Sequence, residues 1–281
     1  MKRILVTGAA GRVGRHIARR LARENVDLRL MFTSAPAVPV AGAVLGNYND
    51  PAQMREVFRS IDAAFVYAPP MHAGEALFQT AREAGVRQVV LLSSASVSKA
   101  PPGENPIAER HRAAENAARS AGLDWTFIRP DTLASNCLQW APGIRSEQRV
   151  CTPYPASLRS ALHEDDIALL AVISLLGTQH VGHAFDITGG QLLSIQEQVK
   201  CIADQLGRPV ACVQIAHEEA LQQMTANAAS SAAAAARILD YQKKSVTVPP
   251  RLTDDLVRAT GRAPRPFGDW VADNLHHFQA S

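Results

Sequence analysis

Cysteine is scarce: the chain has four in 281 residues (Cys137, Cys151, Cys201, Cys212), and none stands in CxxC spacing. Without paired histidine motifs this excludes a zinc-finger or disulfide framework, so no metal is expected. It points to buried or idle thiols and a cytoplasmic setting. No apolar run is long enough to cross a bilayer, which argues against a membrane protein. Met1 leads straight into strand-like residues, so no leader is expected. Charge of one sign is also lacking. Twenty-nine Lys and Arg against 26 Asp and Glu leave a net charge of +3 with no basic run. Neither nucleic acid nor an anionic membrane surface is implied as a partner. No internal repeat is visible.

What is present begins at the N-terminus. Lys2 to Thr7 reads as a short buried strand, Gly8-Ala-Ala-Gly11-Arg-Val-Gly14 as a tight turn, and His16 to Ala22 as a helix start. A strand, a glycine turn and a helix in this order form a phosphate-binding device. The glycines let the backbone turn and let an anion approach. The free N–H groups and the positive end of the helix dipole then face it. Thr7, Gly8, Gly11, Arg12, Val13 and Gly14 are therefore candidate cofactor-binding residues.

Strand and helix patterns alternate through the first half. Strands are predicted over 4–7, 28–32, 43–45, 63–68, 88–93 and 125–129. Helices are predicted over 14–24, 51–60, 74–84 and 107–121. Most of the strands are continuous apolar runs, as when both faces are covered. The fold class is α/β: a doubly wound parallel sheet over 1–130, with a smaller α+β lobe over 131–281, some of whose segments return to the sheet. Ligands of such sheets sit outside the carboxyl ends of the strands. After Pro130 the regularity weakens, and Pro142, Pro153 and Pro155 are expected to break up 137–158. A helix over 164–176 opens on Glu164-Asp165-Asp166, read as capping acids. A strand is expected over 184–188 and a helix over 194–206 with a capping-like Ser194 and Glu197. The alanine-rich stretch 226–238 reads as a helix or a helical lid. Two short helices are expected in the tail, parted by Gly261 and Pro264.

The motif order resembles the NmrA-like branch of the atypical short-chain dehydrogenases/reductases. It runs from Thr7-Gly8-x-x-Gly11-x-x-Gly14 through Gly46-Asn47-Tyr48-Asn49-Asp50-Pro51 and Ser93-Ser94-Ala95-Ser96-Val97. It continues with His111-Arg-Ala-Ala-Glu115, Gly122 to Pro130, and His163-Glu-x-Asp166, and closes on Thr260-Gly261-Arg262 to Trp270. The resemblance implies a Rossmann fold for a nicotinamide cofactor with a small C-terminal substrate lobe, and a homodimer through an exposed helix face is compatible with it. Near the cofactor it places Asn47 and Tyr48 after the third strand, and Ala68 and Pro69 after the fourth.

The second strand ends in Met31-Phe32-Thr33-Ser34, with no carboxylate to hold a ribose 2′-hydroxyl. Thr33 and Ser34 are expected to donate to a 2′-phosphate that Arg12 neutralises, so NADP(H) is favoured over NAD(H). The alternative for Arg12 is a solvated loop arginine. Two departures from the family pattern stand out: no arginine follows strand two, and Asn47 replaces an acid.

Related reductases carry a serine after strand five and a Tyr-x-x-x-Lys pair on the next helix. Ser94 matches the serine, but Ile107 stands at the tyrosine position and His111 at the lysine position. Isoleucine donates no proton, so that mechanism does not operate unchanged. Ser94 and His111 are the candidate catalytic residues, His111 as an imidazole titrating near neutrality. Their plainer readings are a turn cap and a structurally bonded histidine. Asn136, Tyr154 and His163 are candidates to face a small-molecule substrate from the second lobe, and Lys99 reads as solvated. Three functions fit: an NADP(H)-dependent reductase of a small carbonyl, quinone or imine; a non-catalytic sensor of the redox cofactor; and a non-redox isomerase or cyclase using Ser94, His111 and Asp131.

Overall fold

A computed structural model describes residues 1–226 and 232–279. The chain divides into two compact units. The first is Met1–Asp131 with Glu164–Ile187 and Asp254–Arg262, and the second is Thr132–His163, Thr188–Thr253 and Ala263–Ser281.

The first unit holds seven strands: β1 (Lys2–Val6), β2 (Val26–Phe32), β3 (Ala43–Leu45), β4 (Ala63–Tyr67), β5 (Gln88–Leu92), β6 (Asp124–Pro130) and β7 (His183–Ile187). They form one sheet in the order β7-β6-β5-β4-β1-β2-β3. Every pairing is parallel. Strand order reverses between β1 and β4, where Val6 pairs with Phe65, the position at which open sheets of this kind take a ligand. Its helices are α1 (Gly14–Leu21), α2 (Pro51–Phe58), α3 (Gly74–Glu83), α4 (Ser96–Lys99), α5 (Pro106–Ser120), α6 (Glu164–Leu176) and α7 (Asp255–Thr260).

The continuous apolar strands are buried on both faces, which is why no alternation shows in them. Leu5, Ala64, Val66, Val89, Leu91 and Phe127 pack with Met54 and Phe58 of α2, Leu77 and Phe78 of α3, and Ala114 and Ala118 of α5. The alternate residues Ile4, Val6, Phe65, Val90 and Ile128 are equally buried. They point to the other face, which α1 and α6 cover, because strand side chains alternate with period two.

Asp165, in the first turn of α6 as expected, also accepts two hydrogen bonds from Arg20 of α1, at 2.8 and 2.6 Å. Although burial opposes it, the bonds from His16 and Arg20 hold its carboxyl well below the usual range. A neighbouring helix thus supplies the positive charge that balances this acid.

In the second unit Pro142 does not break the chain. It lies in the first turn of a helix over Ala141–Glu147, where its missing N–H has no intrahelical partner to lose. Arg149–Thr152 pairs in parallel with Ala211–Gln214, a ladder that short, half-polar segments did not announce. Ser194 and Glu197 form the expected capping box at the start of Ile195–Leu206. Of the alanine-rich stretch, Ala232–Thr247 is helical, while 227–231 lies outside the described residues. Ile144, Val199, Ile202, Phe267, Trp270 and Phe278 form this unit's core.

One buried ion pair fixes α5 against the sheet. Arg129 on β6 donates to both oxygens of Glu115, at 2.8 and 2.6 Å. Ser93, just past β5, donates to the same carboxylate at 2.6 Å. Glu115 is 1% exposed, so loss of its charge strands a half-buried guanidinium. Glu115→Gln is expected to destabilise the protein by about 3 kcal/mol, measured by urea denaturation. Pairing it with Arg129→Met should recover part of that loss.

Candidate cofactor site

The glycine turn starts at the strand reversal. Thr7 N–H donates to Phe65 O at 3.0 Å, and Gly11 N–H donates back to Gly8 O at 2.8 Å. Gly8 takes φ +62°, which a side chain disfavours. A Cβ on Gly14 would lie 2.1 Å from Gly8 O and 3.1 Å from Ala9 Cα. Only glycine fits, and α1 therefore starts directly against the turn.

The start of α1 carries no side-chain cap and no acid in its first turn. By contrast, Asp50 caps α2 through Gln53 N–H, and Asn105 caps α5 through Ile107 and Ala108 N–H. Arg15 N–H donates to Gly11 O at 3.2 Å and His16 N–H to Val13 O at 3.0 Å, so it is the turn ahead of them, with the positive end of the α1 dipole behind it, that can receive an anion from outside. Arg12 is exposed in the same turn. The residues present fit a dinucleotide diphosphate: a cradle that a Cβ would fill, and a helix dipole left without a protein counter-charge.

Thr7 and Tyr48 hold the floor of this cradle. The Tyr48 hydroxyl is 2.6 Å from Thr7 Oγ1 and 3.1 Å from Tyr67 O, and Tyr67 N–H donates to Thr7 Oγ1 at 2.9 Å. Burial pushes the Tyr48 phenol well above its usual range, against the pull of its bond to Thr7, so it stays a donor. These two hydroxyls tie the ends of β1 and β4 together. Asn47 Oδ1 accepts Asn49 N–H at 3.0 Å, leaving its amide N–H groups to donate outward. Thr33 and Ser34 follow β2 and are exposed; Val13, Ala68 and Pro69 are buried. The Ala68 and Pro69 carbonyls accept from Arg110 of α5 at 2.7 and 3.2 Å.

Ser94 is half-buried after β5. Its Oγ accepts from Ser96 N–H at 3.2 Å and from Ser96 Oγ at 2.9 Å, which leaves its own O–H to donate. The Ser93–Glu115 bond draws this turn to α5. His111, four residues before Glu115 and four after Ile107, shares a helix face with both, and Arg110, three residues after Ile107, lies beside that face. Ile107 is 40% exposed.

The expectation that His111 titrates near neutrality is not met. Its Nδ1 is buried without a hydrogen-bond partner among the described residues. Burial first, then the adjacent Arg110 charge, pushes it down to about 4 against the pull of Glu115. His111 is neutral at pH 7 and is not a ready acid. Lys99, expected to be solvated, ion-pairs with Asp131 at 2.5 Å.

The substrate-facing candidates Asn136, Tyr154 and His163 all belong to the second unit. Asn136 is exposed in the 3-10 turn Ala134–Trp140. Tyr154 OH lies 2.8 Å from His217 Nδ1. His163 is buried with Nε2 3.2 Å from Asp273 Oδ2, which also accepts from Arg265 at 2.9 Å. Tyr154 and His163 are thus each fixed by a partner of their own unit.

Sequence reasoning missed Arg110, Arg112 and Arg129. Arg112 ion-pairs with Glu109 and donates to Ala100 O at 2.7 Å and Val97 O at 3.2 Å. The signal was there in the sequence: Arg110 and Arg112 flank His111, and Arg129 ends a buried strand.

Gly14→Ala should lower stability by about 1–3 kcal/mol and abolish dinucleotide binding, read by thermal melting and by cofactor titration. His111 makes stability depend on pH. Its folded pKa lies below the ordinary 6.5, at about 4, so between these values the unfolded chain binds more protons. Stability is full above pH 7 and falls as pH drops from 6.5 toward 4, by up to about 3 kcal/mol. His111→Gln should flatten this part of the stability profile in denaturant titrations across that range.

A family model described as NAD(P)H-binding matches residues 8–175. The chain is 34% identical to (4-alkanoyl-5-oxo-2,5-dihydrofuran-3-yl)methyl phosphate reductase of Streptomyces griseus over 281 residues, covering 98% of this chain and 99% of the other. It is 26% identical to NAD(P)H azoreductase of Xenophilus azovorans, covering 99% and 100%. The fold superposes on that of Citrobacter sp. triphenylmethane reductase complexed with NADP(H), with a TM-score of 0.78 and 20% identity over 96% and 99% of the two chains. The uncapped glycine cradle, the strand order and these matches agree: the chain belongs to the NAD(P)H-binding family.

Proposed function

We propose that this protein is an NADP(H)-dependent reductase of a small organic electrophile. The observation that carries the reading is the start of α1, uncapped and pressed against a turn that admits no side chain at Gly14. Full-length similarity to a reductase of a dihydrofuranone phosphate and to an azoreductase supports the redox assignment.

The backbone of Gly8, Gly11, Val13 and Gly14 would hold the diphosphate. Asn47 would meet the adenine, and Arg12, Thr33 and Ser34 the 2′-phosphate. No acid follows β2, and a 2′-phosphate in contact with these residues gains a cation and two hydroxyl donors. Tyr48 and Thr7 act by holding the strand ends, and Ala68 and Pro69 by walling the cleft. When bound, the reduced nicotinamide supplies a hydride.

The protein's own chemistry lies with Ser94, whose O–H can hydrogen-bond the atom on which negative charge develops. Neutral His111 can donate or accept a hydrogen bond but does not carry lysine's charge. With Ile107 in the tyrosine's place, α5 supplies no phenolic proton. This arrangement suits acceptors that delocalise the incoming electron pair, such as a quinone, an azo or imine group, or a carbonyl conjugated to a double bond. Their reduced anions survive until water protonates them. Asn136, Tyr154 and His163 stay the proposed small-molecule substrate contacts within the second unit.

NADPH should bind at least about tenfold more tightly than NADH, and Arg12→Ala should narrow that ratio. In a panel of quinones, azo compounds and conjugated carbonyls, at least one should be reduced with consumption of one NADPH. Ser94→Ala should lower kcat by about 10- to 100-fold with NADPH affinity unchanged. Tight binding with no turnover across the panel would favour a cofactor sensor.

A further inference from the structure

We propose that Arg110 is a positioning residue of the cofactor cleft. Its guanidinium clamps the carbonyls of Ala68 and Pro69, and so fixes the proline strap that forms the cleft wall beyond β4. This inference rests on the cofactor reading above and adds to it a residue that no sequence motif marks.

The strap begins where the sheet stops. The β4–β5 register ends at Tyr67 opposite Leu92, so the Ala68 and Pro69 carbonyls lie past the ladder. Pro69 and Pro70 have no N–H, and the strap cannot continue a β-ladder from its own donors. Buried carbonyls still need partners. Arg110 supplies both, with Nη2 2.7 Å from Ala68 O and Nε 3.2 Å from Pro69 O. One edge of the planar fork thus spans two successive carbonyls, a geometry that lysine cannot match.

The clamp is held on a rigid base. Asn105 caps α5 at one end, and the Glu115–Arg129 pair welds it to β6 further along. On the strap side, Ala73 N–H donates to Pro70 O at 3.0 Å, and a Cβ on Gly74 would sit 3.6 Å from Pro69 Cγ. The strap is therefore set between two helices.

Its flanking side chains point outward. Tyr67 is 50% and Met71 57% exposed, an apolar pair at the carboxyl end of β4. This end belongs to the second mononucleotide half of the sheet, where the nicotinamide side of a dinucleotide lies. Ile107 shares the Arg110 face of α5, so the clamp also sets that residue beside the strap.

The test uses the full-length protein and the variants Arg110→Met and Arg110→Lys. Three quantities are measured: NADPH affinity by calorimetry, Tm, and steady-state constants with an electrophile that the wild type reduces. Arg110→Met should weaken NADPH binding about tenfold and raise KM for NADPH about tenfold, about 1.4 kcal/mol. Tm should fall by about 5 °C as two carbonyls lose their donor, and KM for the electrophile should not move. Arg110→Lys, reaching one carbonyl, should recover part of the affinity. A folded Arg110→Met protein with wild-type NADPH affinity overturns the clamp alone. A loss of affinity that follows a collapse in Tm, with no recovery in Arg110→Lys, makes Arg110 merely structural and also overturns it. Wild-type protein that binds neither NADPH nor NADH overturns the cofactor reading, and the clamp's role with it.

Discussion

The close approach of Gly14 to the Gly8 carbonyl is the constraint on which the rest of the cleft depends. With 2.1 Å between that oxygen and any Cβ at position 14, α1 can start only one way relative to β1. The helix then begins without a capping side chain. The positive end of its dipole, with no acid in the first turn, stands behind the glycine turn at the strand reversal. Thr7 and Tyr48 complete the constraint from below by joining the ends of β1 and β4 through hydroxyl groups. Backbone shape, helix dipole and strand order thus converge on one crevice. The convergence is local in sequence, with Thr7 to Gly14 supplying most of it.

The other wall of the crevice is organised differently. α5 is oriented by charged side chains that each reach a different strand end. Arg110 reaches the strap after β4, Arg112 the carbonyls around α4, and Glu115 the serine after β5 and the arginine of β6. A helix held at these points carries Ile107 and His111 where the related reductases carry a tyrosine and a lysine, so it offers neither a phenol nor an ammonium there. The rigidity that positions chemistry in this fold is retained, while the groups that would transfer the proton are absent from α5.

What was legible in the sequence follows the range of the forces involved. The strands read correctly because burial on both faces leaves an apolar run, as in Ala63–Tyr67. The capping box at Ser194 and the glycine turn read correctly because both are formed by residues within a few positions of one another. Pro142 was misread because a proline that starts a helix looks in sequence like one that ends it. The remaining misses are long-range. Asp165 finds Arg20 145 positions away, and Arg110 finds Ala68 42 positions away. No local pattern states which acid meets which base. The pairing of Arg149–Thr152 with Ala211–Gln214 was hidden because short, partly exposed strands carry little periodicity.

His111 is where local and global rules part. Its neighbours on α5 have their charged groups matched: Arg110 by carbonyls, Arg112 by Glu109 and carbonyls, Glu115 by Arg129 and Ser93. His111 alone of this group keeps a buried nitrogen without a partner among the described residues. Burial, and then the Arg110 charge beside it, lowers its pKa to about 4. Native structures leave few buried polar groups unsatisfied, and those that persist call for an explanation. Filling the core with a leucine or methionine at position 111 would remove the deficit. A structural histidine with a satisfied ring would need an acceptor or donor that the helix's surroundings do not provide. In the function proposed above, a ligand that completes its hydrogen bonding accounts for an imidazole held there at a cost to stability. Neutrality then becomes a property suited to the role, because a ring without charge can accept or donate a single bond without opposing the cation of Arg110 beside it.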